Sequence, residues 1–304
     1  EALLAEVFGR PVVLAGSTTL AHGAALPILI DRRDVVLYDR QVHHSVQTAL
    51  AALGARGPKR VPVAHNDLDA LEAEVRAELA AGARRLWYCA DGIYSMLGDR
   101  LDAAGLAELM DRYPALHAYL DDAHGMSWCG ARGQGSVLGA ALPSERTVVA
   151  TSLGKGFGCA GGAIVVPDTT TKHRIENLGP SLMFSIQLPP PVLGAVVASA
   201  HVHLSDELPR LQAELADRVV RLRALLASQP ETAPRLAPAR GAPTPIAYVT
   251  LGRTDVVIDV ATRLAARGYL VNPVSFPAVP RHASGVRLTV TRCHTDADLV
   301  GLAA

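Results

Sequence analysis

The sequence predicts an α/β protein in which a mainly parallel, seven-stranded sheet carries helices on both faces and is followed by a smaller α+β domain. Three observations predict it. From Val12 to Pro167, short β-rich runs alternate with Ala/Leu-rich segments of helical period, the pattern of parallel strands joined by crossover helices. The 304 residues, at roughly 150 per domain, suggest about two domains. After the prolines at 189–191 the pattern changes to a long helical stretch and then to a new order of strands and helices.

The strands are expected near Val12–Ala15, Asp34–Tyr38, Arg60–Val63, Arg84–Ala90, His117–Asp121, Thr147–Thr151 and Gly162–Val166. Helices are expected near Ala21–Ile28, Ser45–Ala52, Asp67–Ala81 and Ala103–Arg112; the third opens on an Asp cap with acidic residues in its first turns. A helical stretch from Val192 to about Ser228, interrupted near Pro209, leads into the Pro/Ala/Arg-rich connector PETAPRLAPARGAP. The remainder reads as strand Pro245–Leu251, helix Asp255–Ala266, strands Tyr269–Asn272 and Gly285–Thr291, and a helix start. The expected domains are 1–190, a linking helical segment 191–240, and 241–304.

Composition excludes several classes. Apolar residues make up 49% of the chain, and 29 basic side chains balance 29 acidic ones. This is neither a disordered chain nor one that binds nucleic acid through bulk charge. Cys89, Cys129, Cys159 and Cys293 are too far apart for a disulfide framework or a close-spaced zinc motif, so no metal is expected. No run approaches the ~18 apolar residues of a membrane span, and EALLAEVFG lacks the basic start of a signal peptide. A cytoplasmic protein is expected. The first residue is Glu1, already in a helical pattern, so a preceding segment is expected as well.

Only three of the 29 basic residues, Lys59, Lys155 and Lys172, are lysines, so each surviving lysine is informative. Lys59 and Lys172 sit in polar, turn-like sequence. Lys155, in TVVATSLGKGFGCAGGAIVVPD, lies between two runs that read as buried strands. A buried amine must be paired, covalently used or pushed toward neutrality.

In open α/β sheets, ligands bind beyond the carboxyl ends of the strands. Those ends carry His43 and His44, Ser95, then Asp121, Asp122 and His124, and finally Ser152 and Lys155. Singly, each has an ordinary explanation, a turn residue or a cap. Together they suit pyridoxal 5'-phosphate. Its aldehyde needs a lysine as Schiff-base partner, and its pyridine nitrogen needs a carboxylate, for which Asp121 at a strand end is better placed than Asp122. His43 can stack on the ring and His124 can reach the phenolic oxygen. GSTT at 16–19, ahead of a helix, suits the phosphate. The Gly-rich stretch does not fit a nucleotide loop, because Gly156 follows Lys155 where Ser or Thr is required and the glycines run into a strand.

With LDDAHGMSWCGARGQGS and TSLGKGFGCAGGAIV on the page, the chain resembles the α-oxoamine synthases, fold-type I pyridoxal-phosphate enzymes. DRQVHHS, VAHND, DGIYSMLGD, FSIQLPPP and GVRLTVTRCHTDAD follow in the family's order, so the resemblance covers nearly the whole chain. It implies that Lys155 forms the covalent link, Asp121 pairs with the ring nitrogen, His124 contacts the phenolic oxygen and His43 stacks. It further implies that Ser95 lies beside the ring, that Gly16, Ser17 and Ser152 hold the phosphate, and that Arg287 binds a substrate carboxylate. Ser185 would approach a neighbouring subunit's site, which implies a homodimer with shared active sites. Leu97, Val42, His44, Ser152, Ser17 and Gln187 depart from the usual family residues, mostly on the substrate side.

The expected function is decarboxylative condensation of an amino acid with an acyl thioester, on CoA or a carrier protein, to an α-aminoketone, with Lys155 as base once freed. Transamination or aldol-type cleavage would use the same ring-binding residues. A third reading is a catalytically silent dimer partner, against which a retained Lys155 argues.

Overall fold

The computed structural model describes residues 1–55, 57–239 and 241–304. The chain divides into two compact units, Glu1–Ile93 with Leu101–Leu208, and Tyr94–Arg100 with Pro209–Ala304.

The first unit is built on a sheet of seven strands among the described residues, in the order β1-β7-β6-β5-β4-β2-β3. These are β1 (Val12–Ala15), β2 (Val35–Asp39), β3 (Lys59–Val63), β4 (Leu86–Asp91), β5 (Leu116–Asp121), β6 (Thr147–Ser152) and β7 (Gly162–Val165). Strands β2 to β6 pair in parallel, and β7 runs antiparallel between β6 and β1. The expected mainly parallel sheet is therefore present. β4 and β6 are buried at every residue, as a strand covered on both faces must be.

Because side chains alternate across a strand, the sheet feeds two cores. Leu86, Tyr88 and Ala90 of β4, with Ala118 and Leu120 of β5, pack in one core with Leu4 and Val7 of α1 (Ala2–Phe8) and Leu106 and Leu109 of α5 (Ala103–Arg112). Trp87, Cys89, Tyr119 and Ala150 face the other, with Ala21, Ala24 and Ala25 of α2 (Thr18–Leu29) and Val46 and Leu50 of α3 (His44–Ala52). This parity decides which strand-end side chains meet α2.

Local signals set the helix starts. Asp67 accepts the Ala70 N–H ahead of α4 (Leu68–Ala80), and Asp102 accepts the Gly105 N–H ahead of α5. The helix α6 (Thr169–Leu178) is not among the sequence expectations, because a Thr run with a single buried apolar residue, Ile175, carries no helical stripe; the Asp168 cap on Thr171 starts it. A short α7 (Pro180–Met183) follows.

The expected interruption near Pro209 falls earlier. α8 (Pro190–His203) ends before Ser205, and α9 (Glu207–Ser228) contains Pro209 in its first turn, where no intrahelical N–H is needed. Where the sequence suggests a linking segment over 191–240, α8 buries Val196 and Ala200 in the first unit's core, whereas α9 buries Val219, Leu222 and Leu226 in the second.

The second unit has a sheet ordered β8-β10-β9, from β8 (Ile246–Gly252), β9 (Asn272–Val274) and β10 (Ser284–Thr289), with α10 (Thr254–Ala266) and α11 (Asp296–Ala303). The strand expected at Tyr269–Asn272 begins only at Asn272. Its Pro273 lies on an edge strand, where a missing N–H is tolerated.

Candidate active site

The register of the parallel strands places the site. Asp91 at the end of β4 stands opposite Asp121 at the end of β5, and Asp121 stands opposite Ala150 of β6, two residues before Ser152. Asp121 is buried. Its Oδ1 accepts the Ala123 N–H at 3.0 Å and its Oδ2 lies 3.0 Å from His22 Nε2. Burial alone would raise this carboxyl, but the hydrogen bond from His22, the Lys155 ammonium and the Ala123 N–H outweigh it. The group stays ionised, far below the ordinary carboxylate range. Asp91 goes the other way, pushed well up by burial and the neighbouring Asp121 charge.

Lys155 departs from expectation. The strands on either side of it are buried, but Lys155 itself is exposed, on the turn between them. The flanking sequence explains this. At Gly156 a Cβ would stand 2.6 Å from the Met126 carbonyl, so the turn packs against the segment after β5 while its crest faces outward. That packing brings Lys155 Nζ to 2.9 Å from His124 Nε2. Its charge is felt by Asp121, Asp91 and His43 alike, which places the amine in their common surroundings.

His43 caps α3. Its Nδ1 accepts from Ser45 Oγ at 2.6 Å and Ser45 N at 3.3 Å, and the backbone N–H of His43 donates to Asp91 Oδ1 at 3.0 Å. Partial desolvation lowers its pKa, the Asp121 charge opposes this, and Lys155 lowers it further. The imidazole is thus held neutral with its ring exposed.

Ser17 caps α2, accepting the Leu20 N–H, and Thr18 Oγ1 donates to the Thr151 carbonyl at 3.3 Å. The first-turn amides of α2 have no acceptor within the helix. A Cβ at Gly162 would lie 2.6 Å from Thr18 N, so β7 approaches this helix start closely because the strand opens on glycine. Ser152 Oγ accepts the Gly154 N–H at 3.2 Å, and the Ile186 carbonyl, next to the half-buried Ser185, lies 3.4 Å from the Cβ position of Gly16. A glycine turn, two hydroxyls and a helix N-terminus suit a phosphate. An ionised carboxylate with an amine–imidazole pair suits a pyridine ring bearing an aldehyde and a phenol. The residues present therefore fit pyridoxal phosphate. Among the described residues no group of three or more His, Cys, Asp or Glu is arranged to hold a metal ion.

Ser95 and Arg287 belong to the second unit. Arg287 Nε donates to the Ser95 carbonyl at 2.6 Å, and burial lowers the guanidinium's pKa. Among the described residues no carboxylate lies within ion-pair distance of it, so the ordinary salt bridge that would explain Arg287 structurally is missing.

Sequence reasoning missed His22, Tyr119 and Asp91. His22 interrupts the apolar face of TLAHGAALPIL, and that lone polar residue was the available signal.

Asp122 lies on the opposite side of β5 from Asp121. Its Oδ2 accepts the Ser136 and Val137 N–H groups and its Oδ1 the Ser136 hydroxyl, pinning the 133–137 loop. Burial pushes its carboxyl up to about 6 against these hydrogen bonds. A folded-state pKa above the unfolded value gives a stabilising contribution that is complete below about pH 4 and lost as pH rises through about 6. Asp122→Asn keeps an acceptor for both amides and can donate to Ser136 Oγ. Its stability in urea is expected to hold from pH 4 to 8, while that of the wild type falls by about 1–3 kcal/mol relative to it. Asp122→Ala orphans two buried amides and is expected to cost about 2–3 kcal/mol throughout.

A profile of the family described as "Aminotransferase class I and II" matches residues 1–304. The 8-amino-7-oxononanoate synthase of Dechloromonas aromatica (strain RCB) is 33% identical over 306 residues, covering 100% of this chain and 76% of that protein. The enzyme of the same name from Methylobacillus flagellatus is 32% identical over 307 residues, covering 98% and 72%. Among solved structures, Sphingomonas wittichii serine palmitoyltransferase superposes with a TM-score of 0.90 at 22% identity, over 100% of this chain and 74% of that one. The 8-amino-7-oxononanoate synthase of Francisella tularensis superposes with a TM-score of 0.81 at 17% identity, over 99% and 83%. At those identities the two structures establish the fold.

Proposed function

The chain belongs to the aminotransferase class I and II family and, within it, to the α-oxoamine synthases, pyridoxal-phosphate-dependent acyltransferases that join an amino acid to an acyl thioester with loss of CO2; from that premise we propose how its residues divide the work. The transaminase, lyase and silent-partner readings give way to this one.

When bound, pyridoxal phosphate supplies an aldehyde that captures amines and a ring that accepts electrons from an α-carbanion. Lys155 would hold the aldehyde, and its amine would be the base that takes the substrate's α-proton. Asp121 keeps the ring nitrogen protonated, which its own depressed pKa permits. His124 would support the phenolic oxygen, His43 would cover a ring face, and Ser95 is proposed as a further contact to the cofactor. Gly16, Ser17 and Ser152, with the α2 amides, bind the phosphate. Arg287, with no internal carboxylate to neutralise it among the described residues, receives a substrate carboxylate as a bidentate donor. One observation carries the reading: an amine and an imidazole 2.9 Å apart share surroundings with a buried, ionised carboxylate at adjacent strand ends.

The name of the relatives suggests the first substrates to try. Cutting 8-amino-7-oxononanoate between the ketone and the amine-bearing carbon leaves a seven-carbon diacid acyl group and alanine without its carboxyl. Purified protein loaded with pyridoxal phosphate is expected to release thiol from such an acyl thioester only when an amino acid is present, evolving CO2 in equal amount. CoA and carrier-protein thioesters are assayed side by side. Absence of thiol release with every pair overturns the reading.

A homodimer with shared active sites is proposed on the segment carrying Ser185, where Phe184 is 85% and Ile186 86% exposed beside the exposed Met183. Apolar side chains that open, neighbouring one another in the chain, are the kind a partner covers. Light scattering is expected to give twice the monomer mass, and Phe184→Glu with Ile186→Glu to return the monomer. No described helix is long and apolar enough to cross a membrane, and the cytoplasm is the proposed compartment.

A further inference from the structure

Behind Asp121 lies a buried polar chain. Tyr119 and Asp121, two residues apart on β5, present their side chains to the same face of the sheet, the face that α2 covers. His22 of α2 stands between them. Its Nδ1 is 2.8 Å from the Tyr119 hydroxyl and its Nε2 is 3.0 Å from Asp121 Oδ2. His22 and Tyr119 are both 0% exposed.

The order of donors is fixed by what each group can do. An ionised carboxylate only accepts, so Nε2 carries the proton shared with Asp121. In the neutral imidazole Nδ1 is then an acceptor, and the buried, un-ionised Tyr119 hydroxyl donates to it. Both ring nitrogens of His22 and the Tyr119 hydroxyl are matched, and both donors point toward Asp121. One Asp121 oxygen is held by His22 and the other by the Ala123 N–H. The carboxylate plane is thereby set.

We propose that His22 is a positioning residue for cofactor electronics: with Tyr119 behind it, His22 fixes the orientation of Asp121 and keeps it ionised toward the ring nitrogen of pyridoxal phosphate. This rests on the function proposed above, and deepens the role given there to Asp121. The groups around Asp121 that also act on its charge are Asp91 of β4, Asp122 next to it in the chain, Lys155 after β6 and His43 after β2. Asp91 and Asp122 oppose ionisation, and His22 and the Ala123 N–H are the donors that touch the carboxylate.

The test compares wild type with His22→Leu, His22→Gln and Tyr119→Phe. Each apoprotein is titrated with pyridoxal phosphate, following tryptophan fluorescence. The bound cofactor, labelled with 15N in the ring, is titrated from pH 6 to 10 by NMR. His22→Leu is expected to bind about tenfold to a hundredfold more weakly, the loss for a buried hydrogen bond to a charged group, and to release the ring proton at least one pH unit earlier. His22→Gln, whose amide can donate where Nε2 does, is expected to restore most of both, and Tyr119→Phe to fall between. Thermal melting separates a packing defect, which lowers Tm without moving the ring titration. If His22→Leu folds poorly, the Gln and Phe variants decide. Unchanged ring titration and affinity in the variants overturn the inference alone. Failure of the wild type to bind the cofactor overturns the functional reading and the inference with it.

Discussion

Lys155→Ala is expected to abolish the borohydride-stable attachment of pyridoxal phosphate and to lower kcat/KM by about four orders of magnitude or more, the scale seen when the central covalent group of a catalytic unit is removed. The expectation rests on what distinguishes this lysine from the other two. Lys59 Nζ pairs with the buried Glu78, and Lys172 Nζ pairs with Glu1 at 2.6 Å and Glu176 at 3.4 Å, so both have structural employment. Lys155 sits between two glycines on a turn, with its Nζ 2.9 Å from His124 Nε2. Borohydride treatment followed by mass spectrometry reads the covalent link directly. Link formation in Lys155→Ala at the wild-type level would mean another amine serves, and the assignment would fail. Lys172→Ala is the control, with activity unchanged and some loss of stability from the exposed ion pairs.

Much of this site was legible in the sequence because it depends on strand ends. Once alternating strands and helices imply a parallel sheet, the residues following each strand must gather at one edge, and Asp121, His124, Ser152 and Lys155 follow from that alone. What was not legible depends on side-chain direction and on close approach. Lys155 reads as buried because its neighbours in sequence are; only the packing of Gly156 against the Met126 carbonyl shows the turn crest facing outward. His22 stands in an apolar helix, and nothing local tells that the parity of β5 brings Tyr119 and Asp121 beneath it. The shifted β9 and the unexpected α6 share one cause, tertiary context overriding weak local propensity, at an edge strand with a proline and at a threonine-rich helix anchored by Ile175.

Asp121→Asn separates charge from shape at the same site. The amide has nearly the same volume and, through its oxygen, still accepts from His22 Nε2 or Ala123 N, so the fold and the cofactor pocket are expected to persist. The negative charge is lost. A neutral amide does not hold a proton on the ring nitrogen, and the electron-withdrawing power of the ring falls with it. The expected consequence is a drop in kcat of about 10² to 10⁴, the range for removing a charge-stabilising partner, with a much smaller change in cofactor affinity. A stability measurement gives an independent sign. The folded-state pKa of Asp121 is depressed below its unfolded value, so the ionised group contributes stability above about pH 4, and this is lost as pH falls toward the folded-state pKa. The wild type is therefore expected to exceed Asp121→Asn in stability at pH 7 and to lose that margin progressively below pH 4. Asp91 is raised in part by the Asp121 charge, so it relaxes downward in Asp121→Asn and the measured margin belongs to the coupled pair. A variant whose kcat matches the wild type would show that the ring nitrogen needs no carboxylate here. A stability margin that grew toward acid pH would show instead that Asp121 is buried as the neutral acid.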